Sequence, residues 1–583
     1  MFSVSDKEIQ KRIKKGKQLI DRHEVIFFDV FNTLLARDCE NPSDIFLLVE
    51  QRFNEIATFT PLRDFKHMRQ DAQKICAEKI LAPKLDEIYE QVPLSVDQKS
   101  KLKALEIEVE EELSTRKSTG YSLYQYAKSL GKKIIAVSDM YLGAAVIRKM
   151  LLSAGYEICS VIVSCDHRAE KYNGKLFQVA MNEYAVEKKQ IVHFGDNIIS
   201  DIIGAFRAGI ACLWIPPENK LAYLKPCGDA FANHYLIPFI ANRIALIENK
   251  STALGYETCG PLIVGFCQWL HEVIKKEQYS KILFCARDVK QTYEVYKKMF
   301  PNDTNRISYF YISLKSLELP YRSATGADSS LEAKQQLEYL RTYLKQINCN
   351  GKVAIVDSGI SGRTQKMLTE ILFGQYNLTG LYMRISKRFY QNVDVSKAFV
   401  FLFDKSPDVR NYICAGFFET MIAATHGRTI SYTKNENGVV LPVLGQPNPK
   451  AEVVGGFQTG VELFANDFIK SSIGNYLIDA DIVQNAFLNF AFYPKLKDVQ
   501  ILINVSGGDD IYSKIVIQRQ KNHYLSHFLD FFKDLQNTYW KGGFIRYYFP
   551  IFSTLISYIY LQVDYVMLEW LGTKNGRTDT SWK

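Results

Sequence analysis

The sequence predicts an α/β protein built as two successive strand–helix domains and a mostly helical C-terminal region. Three observations carry this. An apolar run bounded by turn residues, VIFFDVFNTLLA at Val25 to Ala36, opens a series in which buried-strand runs alternate with helical stretches. A second series of the same kind starts after Gly255. From about Ala451 the strand runs stop, and the chain becomes helical and rich in Phe and Tyr. Alternation of this sort implies parallel sheets with their sites at the carboxyl ends of the strands. The expected division is 1–245, with a helical insertion at about 40–118, then 246–450, then 451–583.

Taken in order, the first series continues with a stretch from Asn41 to Ser118 that has helical periodicity and many Glu and Lys. KKIIAVSD, VIVS, QIVHFGD and ACLWIPP follow as four further strands separated by helical segments. The second series begins with SKILFCARD as a strand and VKQTYEVYKKMF as a helix. RISYFYIS and KVAIVDSGISGRT are the next strands, the latter running into a glycine-containing loop. LTGLYMRIS and KAFVFLFD complete the set, and the chain closes on a polar tail, KNGRTDTSWK.

Composition narrows the class. The 72 Lys and Arg against 63 Asp and Glu leave a formal net charge of +9 in 583 residues. That mild excess suits phosphate ligands or an anionic membrane face and does not call for nucleic acid. Apolar and charged shares of 47% and 23% exclude a mainly disordered chain, a collagen-like repeat and a coiled coil. The 11 cysteines form no CxxC pair, so neither a zinc site nor a redox pair is expected. Their scatter reads as the reduced thiols of a cytoplasmic protein. The polar, basic start MFSVSDKEIQKRIKKGKQLI does not read as a secretion signal, and no apolar run is long enough to span a membrane. Tyr539 to Leu571, with its basic start and many aromatics, reads either as a buried helix or as a helix resting on a membrane surface.

Two constellations carry chemistry. In the first series Asp29 ends a buried strand, where a rigid element aims its carboxylate. Ser138 ends the next, Lys171 lies in AEKYNGKLF, and Asp196 and Asp201 follow a further strand in FGDNIISDIIGA. A carboxylate nucleophile attacking phosphate needs a cation and a hydroxyl for the phosphoryl oxygens and a lysine to offset charge. Asp29 and Asp196 suit magnesium, which prefers oxygen ligands.

These pieces resemble the four motifs of the haloacid dehalogenase superfamily, over roughly residues 15–225 with the stretch after Asn41 as cap. The resemblance implies Asp29 as nucleophile, Thr33 as its following threonine, Ser138 as the second-motif hydroxyl and Lys171 as the third-motif lysine. It also implies an acidic motif at Asp196 and Asp201, and magnesium held by Asp29, the Phe31 carbonyl, Asp196 and Asp201. There is a departure. Phosphatases of that superfamily carry a second Asp two residues after the nucleophile, as acid and base, and here that residue is Phe31. Asp139 reads either as a substitute proton carrier or as a helix N-cap. Lys175 is the alternative to Lys171.

The second constellation is IVDSGISGRT, Ile355 to Thr364. A strand ends in an acid, and a turn rich in Ser and Gly leads into a helix, so successive N–H groups make an anion nest. Ser358, Ser361 and Thr364 add hydroxyls, Gly362 and Arg363 complete the turn, and Asp357 can accept from vicinal sugar hydroxyls. The loop resembles the phosphoribosyl diphosphate (PRPP) loop of type I phosphoribosyltransferases, with Val356 in place of the first of two acids. Arg287 and Asp288 in CARD stand where that family keeps its pyrophosphate loop, and Lys315 in ISLKSL is a second diphosphate contact. In FFETMIAATHGRTISY, Glu419 and His426 are the candidates to orient or deprotonate an acceptor hydroxyl, although a lone His is often structural.

The pairing resembles the bifunctional bacterial ribofuranosyltransferases of polysaccharide assembly, as do the segments GYETCGPLIVGFCQWL and ATHGRTISY. That resemblance implies transfer of 5-phosphoribose from PRPP to a lipid-linked glycan hydroxyl, then removal of the 5-phosphate, in the cytoplasm and in peripheral contact with the inner membrane. The rival reading is a sugar-phosphate phosphatase with a non-catalytic module that recruits it to a glycan-assembly complex.

Overall fold

The computed structural model describes residues 6–574 except 57, 218–220, 227, 229, 360, 373–376, 403–409, 411–413, 448–451, 507–513 and 521. The polar tail at 575–583 and the end of the expected strand KAFVFLFD lie outside the described residues. The chain divides into two compact units. One comprises Met1–Ala222, Pro226–Glu248 and Lys470–Asn475; the other comprises Tyr223–Lys225, Asn249–Ile469 and Tyr476–Lys583.

The first unit holds strands β1 (Val25–Phe28), β2 (Leu35–Arg37), β3 (Ser114–Arg116), β4 (Lys133–Ser138), β5 (Ser160–Val163), β6 (Ile191–Gly195) and β7 (Ala211–Trp214). Five of them form a parallel sheet in the order β5-β4-β1-β6-β7. All four residues of β1 are buried, as a central parallel strand with both faces covered requires. Phe28 lies opposite Ala136 on one side and Phe194 on the other. Asp29, Ser138 and Asp196 therefore emerge side by side at one edge of the sheet. One face is filled by Phe27, Ile135, Val137, Ile162, Leu176 and Phe177.

Between β2 and β3 stand four helices, Ile45–Asn54, Phe65–Lys79, Leu85–Glu90 and Val96–Leu113, where the sequence predicts a helical insertion. Ser95 starts the last of them, its hydroxyl accepting from the Gln98 amide while the Gln98 side chain accepts from the Ser95 amide. The insertion has a polar core. Arg69, fully buried, makes two hydrogen bonds to Glu106 at 2.9 and 2.8 Å, and Tyr89 donates to the same carboxylate at 2.8 Å. Removing one member of such a pair leaves a buried charge alone, which costs about 3–5 kcal/mol. Glu106→Leu is therefore expected to strip hydrogen-exchange protection from Phe65–Lys79 and Val96–Leu113. Helices of the second unit should keep theirs.

The second unit holds β8 (Lys281–Cys285), β9 (Ile307–Phe310), β10 (Lys352–Asp357), β11 (Asn377–Tyr382), β12 (Ala398–Val400), β13 (Thr429–Lys434) and β14 (Val440–Leu444). The first five form another parallel sheet, in the order β12-β11-β10-β8-β9. Its central strand β10 ends on Asp357, paired with Tyr382 of β11, while Val356 faces Phe284 of β8. A 28-residue helix, Lys250–Glu277, is buried along most of its length. It starts where the Asn249 side chain accepts from the Ser251 and Thr252 amides. An antiparallel hairpin, β13 with β14, occupies the segment read from sequence as part of a site. After residue 451 the described residues are mostly helical, and all but Lys470–Asn475 belong to the second unit. Trp540 stacks on Phe417 with centroids 4.6 Å apart and donates its indole N–H to the Ala491 carbonyl at 2.9 Å.

Candidate active sites

The first site gathers at the carboxyl end of the sheet β5-β4-β1-β6-β7. The Lys171 ammonium, 3% exposed, hydrogen-bonds Asp29 Oδ1 and lies 2.6 Å from Asp201 Oδ1. Lys175, its alternative, is exposed on the first turn of helix Lys175–Tyr184. Asp201 also accepts from the Asn197 amide at 2.9 Å and meets His193 Nε2 at 3.1 Å. Its carboxylate packs so close to the end of β6 that a Cβ on Gly195 would fall 2.3 Å from Asp201 Cγ. Asp201 thus fixes Lys171 in place. Ser138 and Thr33 are buried beside Asp29 in sequence or in the sheet, and Thr33 Oγ1 has no hydrogen-bond partner.

Electrostatics separates the acids. Burial, with Asp201 and Asp196 adding to it against Lys171, pushes Asp29 up to about 8. Burial and then Asp201 raise Asp196 as well. Burial works on Asp201 in the same direction, but Lys171 and His193 outweigh it and hold that carboxyl well below the usual range. Burial would lower Lys171, yet Asp29, Asp201 and Asp139 hold it firmly protonated.

The second site forms at the carboxyl end of β12-β11-β10-β8-β9. Asp357 accepts from the Gly359 amide at 3.2 Å. Gly359 has φ +85°, and a Cβ there would lie 1.8 Å from the Arg384 carbonyl oxygen, so the loop is pressed against the chain leaving β11. Gly362, also left-handed, precedes helix Arg363–Ile371, which Thr364 enters at its first turn. Arg363 Nε reaches Ser361 Oγ at 3.4 Å, and Asn392 donates to the Ser361 carbonyl at 2.8 Å. Glu419 stands on helix Ala415–Ile422, its carboxylate 3.8 Å from Arg384. Burial, then the charges of Asp288 and Asp357, push Glu419 up to about 8 against Arg384 and Arg287. Burial raises Asp357 too, opposed by the Gly359 and Ser358 amides and by Arg384. Arg287, Asp288, Asp357 and Glu419, spread over more than a hundred residues of sequence, therefore act on one another.

Two of the expected residues already have partners in the structure. Lys315 is exposed and pairs with Glu318 at 3.0 Å. His426 has both ring nitrogens engaged: Nδ1 lies 2.9 Å from the Gly427 carbonyl and Nε2 lies 2.8 Å from the Tyr309 hydroxyl. Since a carbonyl only accepts, Nδ1 donates there, and in the neutral ring Nε2 accepts from Tyr309. Arg384, in contrast, was not singled out from the sequence. Its signal was a charge one residue past the apolar run LTGLYM, the same placement as Asp29 and Asp357.

A family profile of haloacid dehalogenase-like hydrolases matches residues 23–209. Residues 23–209 form a haloacid dehalogenase-like hydrolase domain. Solved structures similar to the chain include YfnB from Bacillus subtilis, a structure bound to magnesium, with 18% identity over 33% of this chain and 89% of that one and a TM-score of 0.26. A haloacid dehalogenase-like family hydrolase from Xanthomonas campestris has 11% identity over 36% and 89%, with a TM-score of 0.26. A 2-haloacid dehalogenase from Pseudomonas syringae pv. Tomato DC3000 has 17% identity over 33% and 86%, with a TM-score of 0.26. No curated protein sequence matches the chain.

In the haloacid dehalogenase-like domain, ligand oxygens of Asp29, Asp196 and Asp201 all lie within 4.8 Å of one another. All three donors are carboxylates, the ligand type a hard divalent cation prefers. Two of them, Asp29 and Asp196, are raised by burial and by their acidic neighbours, a penalty that a bound cation would remove. The residues present therefore fit magnesium. Phe31 lies under the Arg37 guanidinium, 3.7 Å from ring to Cζ. Arg37 is held by Glu110 at 3.0 Å, and Glu110 also accepts from Tyr141 at 3.2 Å. Asp139 caps no helix: the following one, Ala144–Ser153, has Gly143 at its N-cap, and the Asp139 carboxylate accepts from the Lys171 amide at 3.1 Å. Two further contributors were not read from the sequence. His193 supports Asp201 from within β6, and buried Lys117 hydrogen-bonds the Asn32 and Pro216 carbonyls and draws Asp196 down.

Proposed function

We propose that the chain is a bifunctional enzyme that moves 5-phosphoribose from PRPP to a hydroxyl of a lipid-linked glycan and then removes the 5-phosphate. The observation that carries this reading is the presence of two separate clusters of acids and cations, each at the carboxyl end of its own parallel sheet. In the second unit, the amides and hydroxyls of Ser361 to Thr364 hold the 5-phosphate, Asp357 holds the ribose hydroxyls, and Arg287 faces the diphosphate. The bond from ribose C1 to diphosphate breaks, C1 joins the acceptor oxygen, and Glu419 takes the acceptor's proton. Pyrophosphate leaves.

In the haloacid dehalogenase-like domain, an Asp29 oxygen attacks the phosphorus, the bond to the ribose oxygen breaks, and water then hydrolyses the aspartyl phosphate. Lys171, Thr33 and Ser138 receive the phosphoryl oxygens. Asp139 gives the departing ribose oxygen its proton, the part that Phe31 cannot play. Asp29, Asp196, Asp201 and the Phe31 carbonyl would hold magnesium, which would offset phosphoryl charge.

Among the described residues no helix is long and apolar enough to cross a membrane. The exposed Phe552, Leu555, Tyr558 and Ile559 support contact with a membrane face, where a lipid-linked acceptor would be met in the cytoplasm. The test is incubation with PRPP and a panel of acceptor glycans, read by mass spectrometry. A pentose-phosphate gain followed by a pentose gain is expected. Phosphate release from sugar phosphates without any pentose gain would leave the non-catalytic recruiting module as the better account.

Glu419 gives this reading a pH signature. A base must be unprotonated to accept, and burial has raised this one to about 8. The kcat/KM for transfer, which reports the free enzyme, is expected to rise with pH through about 8 and to level off above it. A flat profile from about pH 6 to about pH 9 would remove Glu419 as the base.

A further inference from the structure

Arg384 lies two residues past the end of β11 and is 3% exposed. A guanidinium has five N–H donors and no acceptor. Here one nitrogen meets the Ala415 carbonyl at 3.5 Å, the outer limit of a hydrogen bond, and the Glu419 carboxylate at 3.8 Å, beyond it. Nε has no partner. The flat face covers the Phe418 ring at 4.5 Å, which orients the group without satisfying its donors. Buried charges normally come with a full set of hydrogen bonds, because taking them out of water is otherwise costly. This one is buried with its Nε–H unpartnered and a single, long hydrogen bond from a terminal nitrogen.

A second donor in the same corner is in the same condition. Ser358, 1% exposed, has no partner for its hydroxyl. It stands between Asp357 and Gly359, and Gly359 is the residue pressed against the Arg384 carbonyl. The sheet order puts β10 between β11 and β8, so Arg384 flanks Asp357 on one side and Arg287 flanks it on the other. We propose that Arg384, with Ser358, completes an oxyanion subsite that binds a phosphate group of the substrate on the β11 side of Asp357. A phosphate oxygen accepts, and Arg384 offers it a fork that suits bidentate binding, with the Ser358 hydroxyl as a further donor. This assignment rests on reading the second site as a phosphoribosyl diphosphate site. The group held is either the donor's diphosphate or its 5-phosphate.

Calorimetric titration of the full chain with pyrophosphate, and separately with ribose 5-phosphate, distinguishes the two. Arg384→Gln is expected to weaken one of these ligands roughly ten- to a hundred-fold, and the one weakened names the group held. Arg384→Lys keeps the charge but loses the fork, so an intermediate loss is expected. Ser358→Ala should weaken the same ligand by several-fold. Circular dichroism and the thermal midpoint report folding, and if Arg384→Gln does not fold, Arg384→Lys and Ser358→Ala carry the test. If wild type binds and the folded variants bind both ligands within about two-fold of it, the Arg384 subsite is wrong while the site reading stands. If wild type itself binds neither ligand, nor PRPP, the site reading falls and takes this one with it.

Discussion

Asp29→Asn is expected to stop phosphate release, lowering it by at least about a thousand-fold, while transfer continues. The amide is close to isosteric but cannot form an acyl phosphate. The fold should tolerate the change, because Lys171 keeps its bond to Asp201 at 2.6 Å and does not become an unpaired buried charge. With PRPP and an acceptor, the variant should therefore accumulate phosphoribosylated product. Mass spectrometry distinguishes that product from the plain pentose adduct. Normal amounts of the plain adduct from Asp29→Asn would sink the assignment of the nucleophile. The same outcome would also separate the two reactions in the opposite sense, by showing that the phosphate is removed elsewhere.

Asp357→Ala is expected to block transfer and leave hydrolysis of an aryl phosphate at wild-type rate. Its carboxylate stands at the end of the central strand, and the adjacent position that would carry a second acid is the buried Val356. In the proposed reading, no other carboxylate among the described loop residues can take over its hold on the two ribose hydroxyls. Each charge-assisted hydrogen bond contributes about 1.5–3 kcal/mol, so losing two predicts a fall of at least about a hundred-fold in PRPP affinity. Calorimetry with PRPP checks this. Unchanged affinity would show that the loop holds something other than a ribose.

What the sequence disclosed follows from where strands end. Asp29, Asp196 and Asp357 each terminate or directly follow an apolar run, and a parallel strand delivers the residue at its carboxyl end to the site regardless of its distant partners. The helical insertion and the helical C-terminal region were legible for a similar reason, since periodicity is local. The contacts that complete each site were not. Glu110 holds Arg37 from 73 positions away, and no local pattern reports which acid will lie over which cation. Arg384 was hidden because LTGLYMRIS reads as one unbroken strand, whereas the strand stops at Tyr382 and the chain bends to bring the guanidinium inward. The hairpin of β13 and β14 carries its signal in the turn Asn435 to Gly438, beyond the end of ATHGRTISY. The contact of His426 with Tyr309, 117 positions away, is likewise not reported by any local pattern.

The antiparallel pairing of β2 with β3 has a consequence for how the inserted helices move. Leu35, Ala36 and Arg37 run beside Arg116, Thr115 and Ser114, so the outgoing and returning connections are laced together as a two-ply strap. Such a strap flexes across its flat face but resists shear between its plies, which leaves the insertion essentially one direction in which to swing. Each ply is also moored on the catalytic loop. Leu35 bridges to Phe31 on one ply, and Lys117, directly after the other, is anchored on the Asn32 carbonyl. The helices cannot tilt without pulling on the residues that follow Asp29. Opening of the insertion and alignment of the nucleophile are therefore one mechanical coordinate rather than two.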